Sequence, residues 1–149
     1  MSLEQLINDE IKNAMRAKAE ARLRALRAIK SAILLAKTAE GASDPLSADD
    51  EMKILTKLSK QRRDSLEVYQ TQNRPDLAVR EQEELDVIQE FLPKQLSADE
   101  LRAEIQQIIA ETGATSAKDM GKVIGAANKA LAGKAEGKTI AAIVKELLS

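Results

Sequence analysis

The sequence predicts an all-α protein: an N-terminal helical bundle over about residues 1–93, then a small three-helix domain over about 96–149. Three observations carry that expectation. Apolar residues recur at three- and four-residue steps along most of the chain, the period of a helix with one buried face. No stretch alternates apolar and polar residues while rich in Val, Ile and Thr, so no strand is expected. Pro93 breaks the helical pattern, and five of the six glycines (113, 121, 125, 133 and 137) lie after it. Long charged helices are therefore expected first, and short glycine-punctuated ones after. The second part is small for independent stability.

Each element has its own signal. Leu3, Leu6, Ile7, Ile11, Ala14 and Met15 make one face of a first helix, opened by Ser2 and Gln5 at capping-box spacing. Leu23, Leu26, Ile29, Ile33 and Ala36 continue into a second helix, ended by Gly41 and Pro45. Ser47 opens a third, whose first turn holds Asp49, Asp50 and Glu51, where negative charge suits the helix dipole. Its stripe is Met52, Leu55, Leu58, Leu66 and Tyr69. After a turn at 72–75, Pro75 stands at the first position of a fourth helix carrying Leu77, Leu85, Ile88 and Leu92. Ser97 and Glu100 repeat the capping box before Leu101, Ile105, Ile108 and Ile109. Ser116 with Asp119 starts a sixth helix, and the segment 133–137 separates it from a seventh ending in Leu147 and Leu148.

Composition narrows the chemistry. Among 149 residues there is no Cys, no His and no Trp, with one Tyr and one Phe. Thiolate nucleophiles, disulfides, Ser-His-Asp triads and the usual zinc ligand sets are excluded. An enzyme is thereby disfavoured, and no catalytic residue, cofactor or metal is expected. The carboxylates at 81, 83, 84 and 86, and those at 49–51, suit helix surfaces better than a metal site. The apolar run from Ser31 to Lys37 is far too short to cross a membrane, and the N-terminus resembles no leader, so a cytoplasmic protein with no membrane partner is expected.

Charge is uneven although the formal net charge is only −1. From Lys12 to Lys37 eight basic residues stand against one acid, Glu20, and Lys53, Lys57, Lys60, Arg62 and Arg63 form a second basic run. Between Asp76 and Glu90 the balance reverses. Two readings remain open: pairing with the acidic helix plus a solvated face, or a face for a polyanion. Arg62 and Glu81 each lie inside an apolar stripe, and folding the hairpin at 73–74 brings them within reach, so a half-buried ion pair is expected.

In the tail, Gly121 and Gly125 sit four residues apart inside a helix, where each costs about 1 kcal/mol against Ala. Something close to the bare backbone is implied, either a neighbouring helix or a ribose-phosphate chain. Lys118 and Lys122 share one face, a mildly unfavourable pair that an anion would relieve. Lys134 and Lys138 flank the glycine loop before the last helix. That loop is one residue short of a Walker motif, so it reads as a tight turn or a nonspecific phosphate contact.

These segments together resemble one family. Leu26–Ile33, Lys60–Glu67, Leu92–Ser97, Lys118–Gly125 and Gly133–Lys138, in that order and spacing, are similar to the GatB/YqeY family and to its stand-alone YqeY-like members. The resemblance spans essentially the whole chain. It implies an all-helical fold whose tail is similar to the C-terminal domain of the B subunit of the glutamine-dependent tRNA amidotransferase, a part that helps hold tRNA while the chemistry lies elsewhere. It therefore implies a tRNA- or structured-RNA-binding accessory protein, with Lys118, Lys122, Lys134, Lys138, Gly121 and Gly125 as the contact residues. A helical adaptor docking on an aminoacyl-tRNA synthetase or an amidotransferase is the alternative. A third reading is an amidotransferase-like carbon–nitrogen ligase using glutamine as amide donor. The sequence departs from the family pattern at Asn128 and Lys129, where a Met-Pro pair is common, and at Ala130 and Ala132, which are often basic.

Overall fold

The computed structural model describes residues 2–42 and 45–149. The described residues are all-helical: α1 (Leu3–Ala17), α2 (Glu20–Thr38), α3 (Ala48–Thr71), α4 (Pro75–Glu90), α5 (Ala98–Thr112), α6 (Met120–Ala130) and α7 (Gly137–Leu148), with a single 3-10 turn at Ala117–Asp119. The chain divides into two compact units, Met1–Leu92 and Pro93–Ser149.

In the first unit α3 and α4 form an antiparallel hairpin, α2 packs on both, and α1 packs on α2. The core joins Ile7 and Ala14 of α1, Leu26, Ile29 and Ile33 of α2, Leu55 and Leu58 of α3, and Val87 and Ile88 of α4. The capping box at Ser2 forms: Ser2 Oγ accepts from the Gln5 amide, and the Gln5 side chain accepts from the Ser2 amide. A third tie reaches across the unit, because the Leu3 amide at the helix start donates to Glu51 Oε2 of α3 at 2.6 Å. The break between α1 and α2 carries neither Gly nor Pro. Lys18 makes it by adopting a left-handed conformation, φ 55°, and closing the end of α1 with its own amide. At the hairpin, Asn73 takes φ 54° just before Pro75 starts α4.

The ion pairs separate the basic runs into two kinds. Arg22 bridges Glu10 and Glu90, Arg24 bridges Glu83 and Glu84, and Lys37 holds Glu4. The expected pair is present, Arg62 Nη1 lying 3.2 Å from Glu81 Oε2, and the same nitrogen is 3.4 Å from Glu84. Much of the acidic helix is thus consumed in neutralising α2 and α3. Lys53, Lys57 and Lys60 are exposed and form no ion pair among the described residues.

In the second unit Leu101, Ile105 and Ile108 of α5, Val123 and Ala127 of α6, Leu131, and Ile140, Ile143, Val144 and Leu148 of α7 bury one another. The Ser97–Glu100 capping box is closed in both directions, and Gly113 ends α5 at φ 71°, the left-handed conformation that Gly adopts without strain.

Candidate nucleic-acid interface

The orientation of α6 follows from its apolar spacing. Val123, Ala127 and Leu131 fall on one side at four-residue steps and are buried. That turns Gly121, Lys122, Gly125 and Lys129 toward solvent, and all four are exposed, as is Lys118 in the 3-10 turn before the helix. A Cβ placed on Gly121 or Gly125 would meet no atom within 4 Å. The close packing of a second helix on this bare backbone, one of the two explanations for the glycine pair, therefore does not hold among the described residues. What remains is a strip of uncovered main chain bordered by cations.

The approach to this helix is fixed by backbone contacts. The Lys118 amide donates to Ser116 Oγ at 3.4 Å, and the Thr115 amide donates to Asp119 Oδ2 at 3.0 Å. Asp119 thus turns its carboxylate to Thr115 rather than closing a box with Ser116 as its spacing suggests. It forms no ion pair with Lys118 or Lys122.

The loop to α7 is held from the other side. Gln95 Nε2 donates to Gly133 O at 2.6 Å, and the Leu96 amide donates to Lys134 O at 3.0 Å. Gly133 takes φ 77°, and the Lys134 amide closes a turn on Leu131 O. The main chain that carries Lys134 is therefore pinned, while Lys134 itself is exposed. Gly137 starts α7 with its would-be Cβ 3.8 Å from Asn128 Oδ1, an ordinary contact, so the Lys138 turn lies beside the C-terminal half of α6. Glu136, at the cap position, makes no side-chain cap.

The four lysines expected as a set come from three successive elements of the tail. Lys118 lies in the 3-10 turn before α6 and Lys122 in its first turn, whereas Lys134 follows its last residue, Ala130, in the loop and Lys138 stands in the first turn of α7. Lys129 stands between them and is not among the expected contact residues. Its spacing from Lys122, seven residues or two turns on the same face, is the signal that would have found it.

Charge within this unit is segregated. Asp99, Glu100, Glu104 and Glu111 lie on α5, whose one cation, Arg102, is spent on a two-bond pair with Glu146 at 2.9 and 3.1 Å. This pair holds the Glu146 carboxyl below its usual range and raises Arg102. The five lysines from 118 to 138 form no ion pair among the described residues, with only Asp119 and Glu136 in the same stretch of sequence. Such an arrangement can attract and align a chain of phosphates.

No group of three or more His, Cys, Asp or Glu able to hold a metal occurs among the described residues. A cleft of about 50 Å³ in the first unit, lined by Leu3, Ile33, Leu46 and Glu51 among others, has room for little more than water. No helix of the described residues is long and apolar enough to cross a membrane.

Among the described residues, fold and surface thus define an all-helical protein of two units, one of which presents an uncovered glycine backbone edged by lysines without an ion pair. The chain belongs to the family described as Yqey-like protein, whose model matches residues 4–148 and so spans both units. No curated protein matches it.

Proposed function

We propose that this protein is an RNA-binding accessory factor that grips tRNA, or another structured RNA, by its backbone and shape. The observation that carries this reading is the outer face of α6, where Gly121 and Gly125 leave main chain open to solvent between Lys118, Lys122 and Lys129. Packing does not account for the two glycines, and a ribose-phosphate chain needs the room they leave. Lys134 and Lys138 extend the contact beyond the end of α6. The similarity of the tail to the tRNA-holding part of the amidotransferase B subunit supports the same partner. With one Tyr and one Phe in the chain there is no stacking platform for splayed bases, so recognition of a folded duplex is favoured over recognition of single strands.

The test is a gel-shift series with labelled bulk tRNA at rising salt. Binding should weaken steeply with salt, and Lys118→Glu, Lys122→Glu, Lys134→Glu and Lys138→Glu together should weaken it across all tRNAs. The logarithmic salt slope should flatten by about 0.7–0.9 for each phosphate that a lysine no longer neutralises. Unchanged retention of the fourfold variant would remove this face from the reading. One observation favours the adaptor alternative: Leu34 and Leu35 on α2 are 44% and 75% exposed. An intact protein that leaves tRNA unshifted at low salt would make docking on a synthetase or amidotransferase the better reading.

A further inference from the structure

We infer that the N-terminal unit carries a second, separate contact for the phosphate backbone of the same RNA, a cation stripe along α3 formed by Lys53, Lys57, Lys60 and Arg63. The inference rests on the RNA reading above, and it concerns residues that the tail's similarity does not reach.

The structure sorts the cations of this unit by what they are spent on. Arg22, Arg24, Arg62 and Lys37 are held by carboxylates. Lys53, Lys57 and Lys60 are exposed, Arg63 is half-buried, and none of the four pairs with a carboxylate among the described residues. Their spacing of four, three and three residues keeps them on the side of α3 opposite the buried Leu55, Leu58 and Ser59, with Arg63 drifting to its flank. From Lys53 to Arg63 the stripe runs about 15 Å, close to one cation per turn. Asp49 and Asp64 bound it at either end of the Lys53–Lys60 run.

The shape of the stripe selects its partner. Cations laid out along a line cannot converge on one phosphate group, so a free nucleotide or a small anion is a poor fit. A nucleic-acid duplex carries a negative charge about every 1.7 Å of its axis, so each side chain along such a line finds a phosphate. The exposed residues beside the lysines are polar, Thr56 within the run and Gln61 after it, and are not the apolar side chains that an interfacial helix sinks into lipid. Lysines held on one long helix keep their order without a loop to freeze on binding. With a second cationic strip in the tail of the same chain, two weak contacts on one RNA reinforce each other through effective concentration.

The test uses the intact chain in three forms: wild type, Lys53→Gln with Lys57→Gln and Lys60→Gln, and a tail variant with Lys118, Lys122, Lys134 and Lys138 all changed to Gln. Gln keeps the helix propensity of these exposed positions, and an unchanged thermal midpoint confirms the fold. Labelled bulk tRNA is titrated from about 50 to 200 mM salt. The α3 variant should bind more weakly at the low-salt end, with a slope shallower by about 2.1–2.7, so that its deficit against wild type shrinks about 20–40-fold across the series. That result supports the stripe whether or not the tail variant is also impaired. Affinity and slope equal to wild type in the α3 variant, with the tail variant weakened, would overturn the stripe and leave the tail reading standing. No tRNA binding by wild type at low salt would overturn both. Wild-type capture on anionic phospholipid vesicles that the α3 variant loses, with tRNA affinity unchanged, would also overturn it.

Discussion

Arg62 offers the sharpest test of the physical argument in the N-terminal unit, because one nitrogen serves two carboxylates. Its Nη1 lies 3.2 Å from Glu81 and 3.4 Å from Glu84, with side-chain exposures of 24%, 14% and 12%. Glu84 is also 3.4 Å from Arg24 Nε. At an effective dielectric of about 20, a pair at this distance gains about 5 kcal/mol of Coulomb energy before desolvation. The buried Arg62 Nε has no partner among the described residues, so the guanidinium is not used as a two-pronged fork and much of that gain is offset. Removing Arg62 leaves Glu81 and Glu84 close together with only Arg24 to neutralise one of them, whereas removing Glu81 leaves Arg62 still paired with Glu84. Arg62→Met should therefore cost about 2–3 kcal/mol, Glu81→Leu about 1, and the double variant about 1–2 less than their sum. Urea unfolding of the four proteins measures this. The fluorescence of Tyr69, the single tyrosine and a residue of α3, reports on this unit alone in a chain without Trp. Additivity within about 0.5 kcal/mol would refute the coupling, and a larger loss for Glu81→Leu than for Arg62→Met would refute the shared-nitrogen geometry.

Gly121→Ala and Gly125→Ala should each stabilise the protein by up to about 1 kcal/mol, since a Cβ meets nothing there, while weakening tRNA binding; a lowered thermal midpoint would mean that the backbone is covered after all. Lys18→Gly should raise stability by about 0.5–1 kcal/mol by relieving the left-handed residue between α1 and α2, and a loss in urea midpoint would contradict the assigned conformation. Ser97→Ala should cost about 1 kcal/mol. The Ser97 amide and hydroxyl hold the Glu100 carboxyl below its ordinary value, so the help Glu100 gives is present above the carboxylate range and fades as pH falls through its lowered pKa. The gap in thermal midpoint between wild type and Glu100→Gln should then close in acid, and a gap that widened would reverse the sign of the argument.

The helices were legible because a buried face with a 3.6-residue period is written directly into apolar spacing, as in Val123, Ala127 and Leu131. The boxes at Ser2 and Ser97 were legible because they need only residues three apart. That α1 and α2 are separate helices was legible too, but the means of the break was not, because Lys18 occupies a conformation that sequence assigns to Gly or Asn. Arg62 and Glu81 were paired from sequence because the hairpin turn sets their register. The extension to Glu84 and Arg24 depends on where α2 crosses α4, which no local pattern records. For Gly121 and Gly125 the spacing announced close approach but not by what. The empty space outside them speaks against a helix packed there and does not name what approaches.

The grip of Gln95 and Leu96 on Gly133 and Lys134 has a practical consequence for cutting the chain. These two residues precede α5 and lie outside every helix, yet they serve as a brace for a loop 38 positions away. A fragment trimmed to the first helical residue, Ala98, would discard the brace and release the segment bearing Lys134, even with its hydrophobic interior whole. Started at Pro93, it retains both donors. In deuterium exchange the Leu96 amide should accordingly resist labelling as a helical amide does.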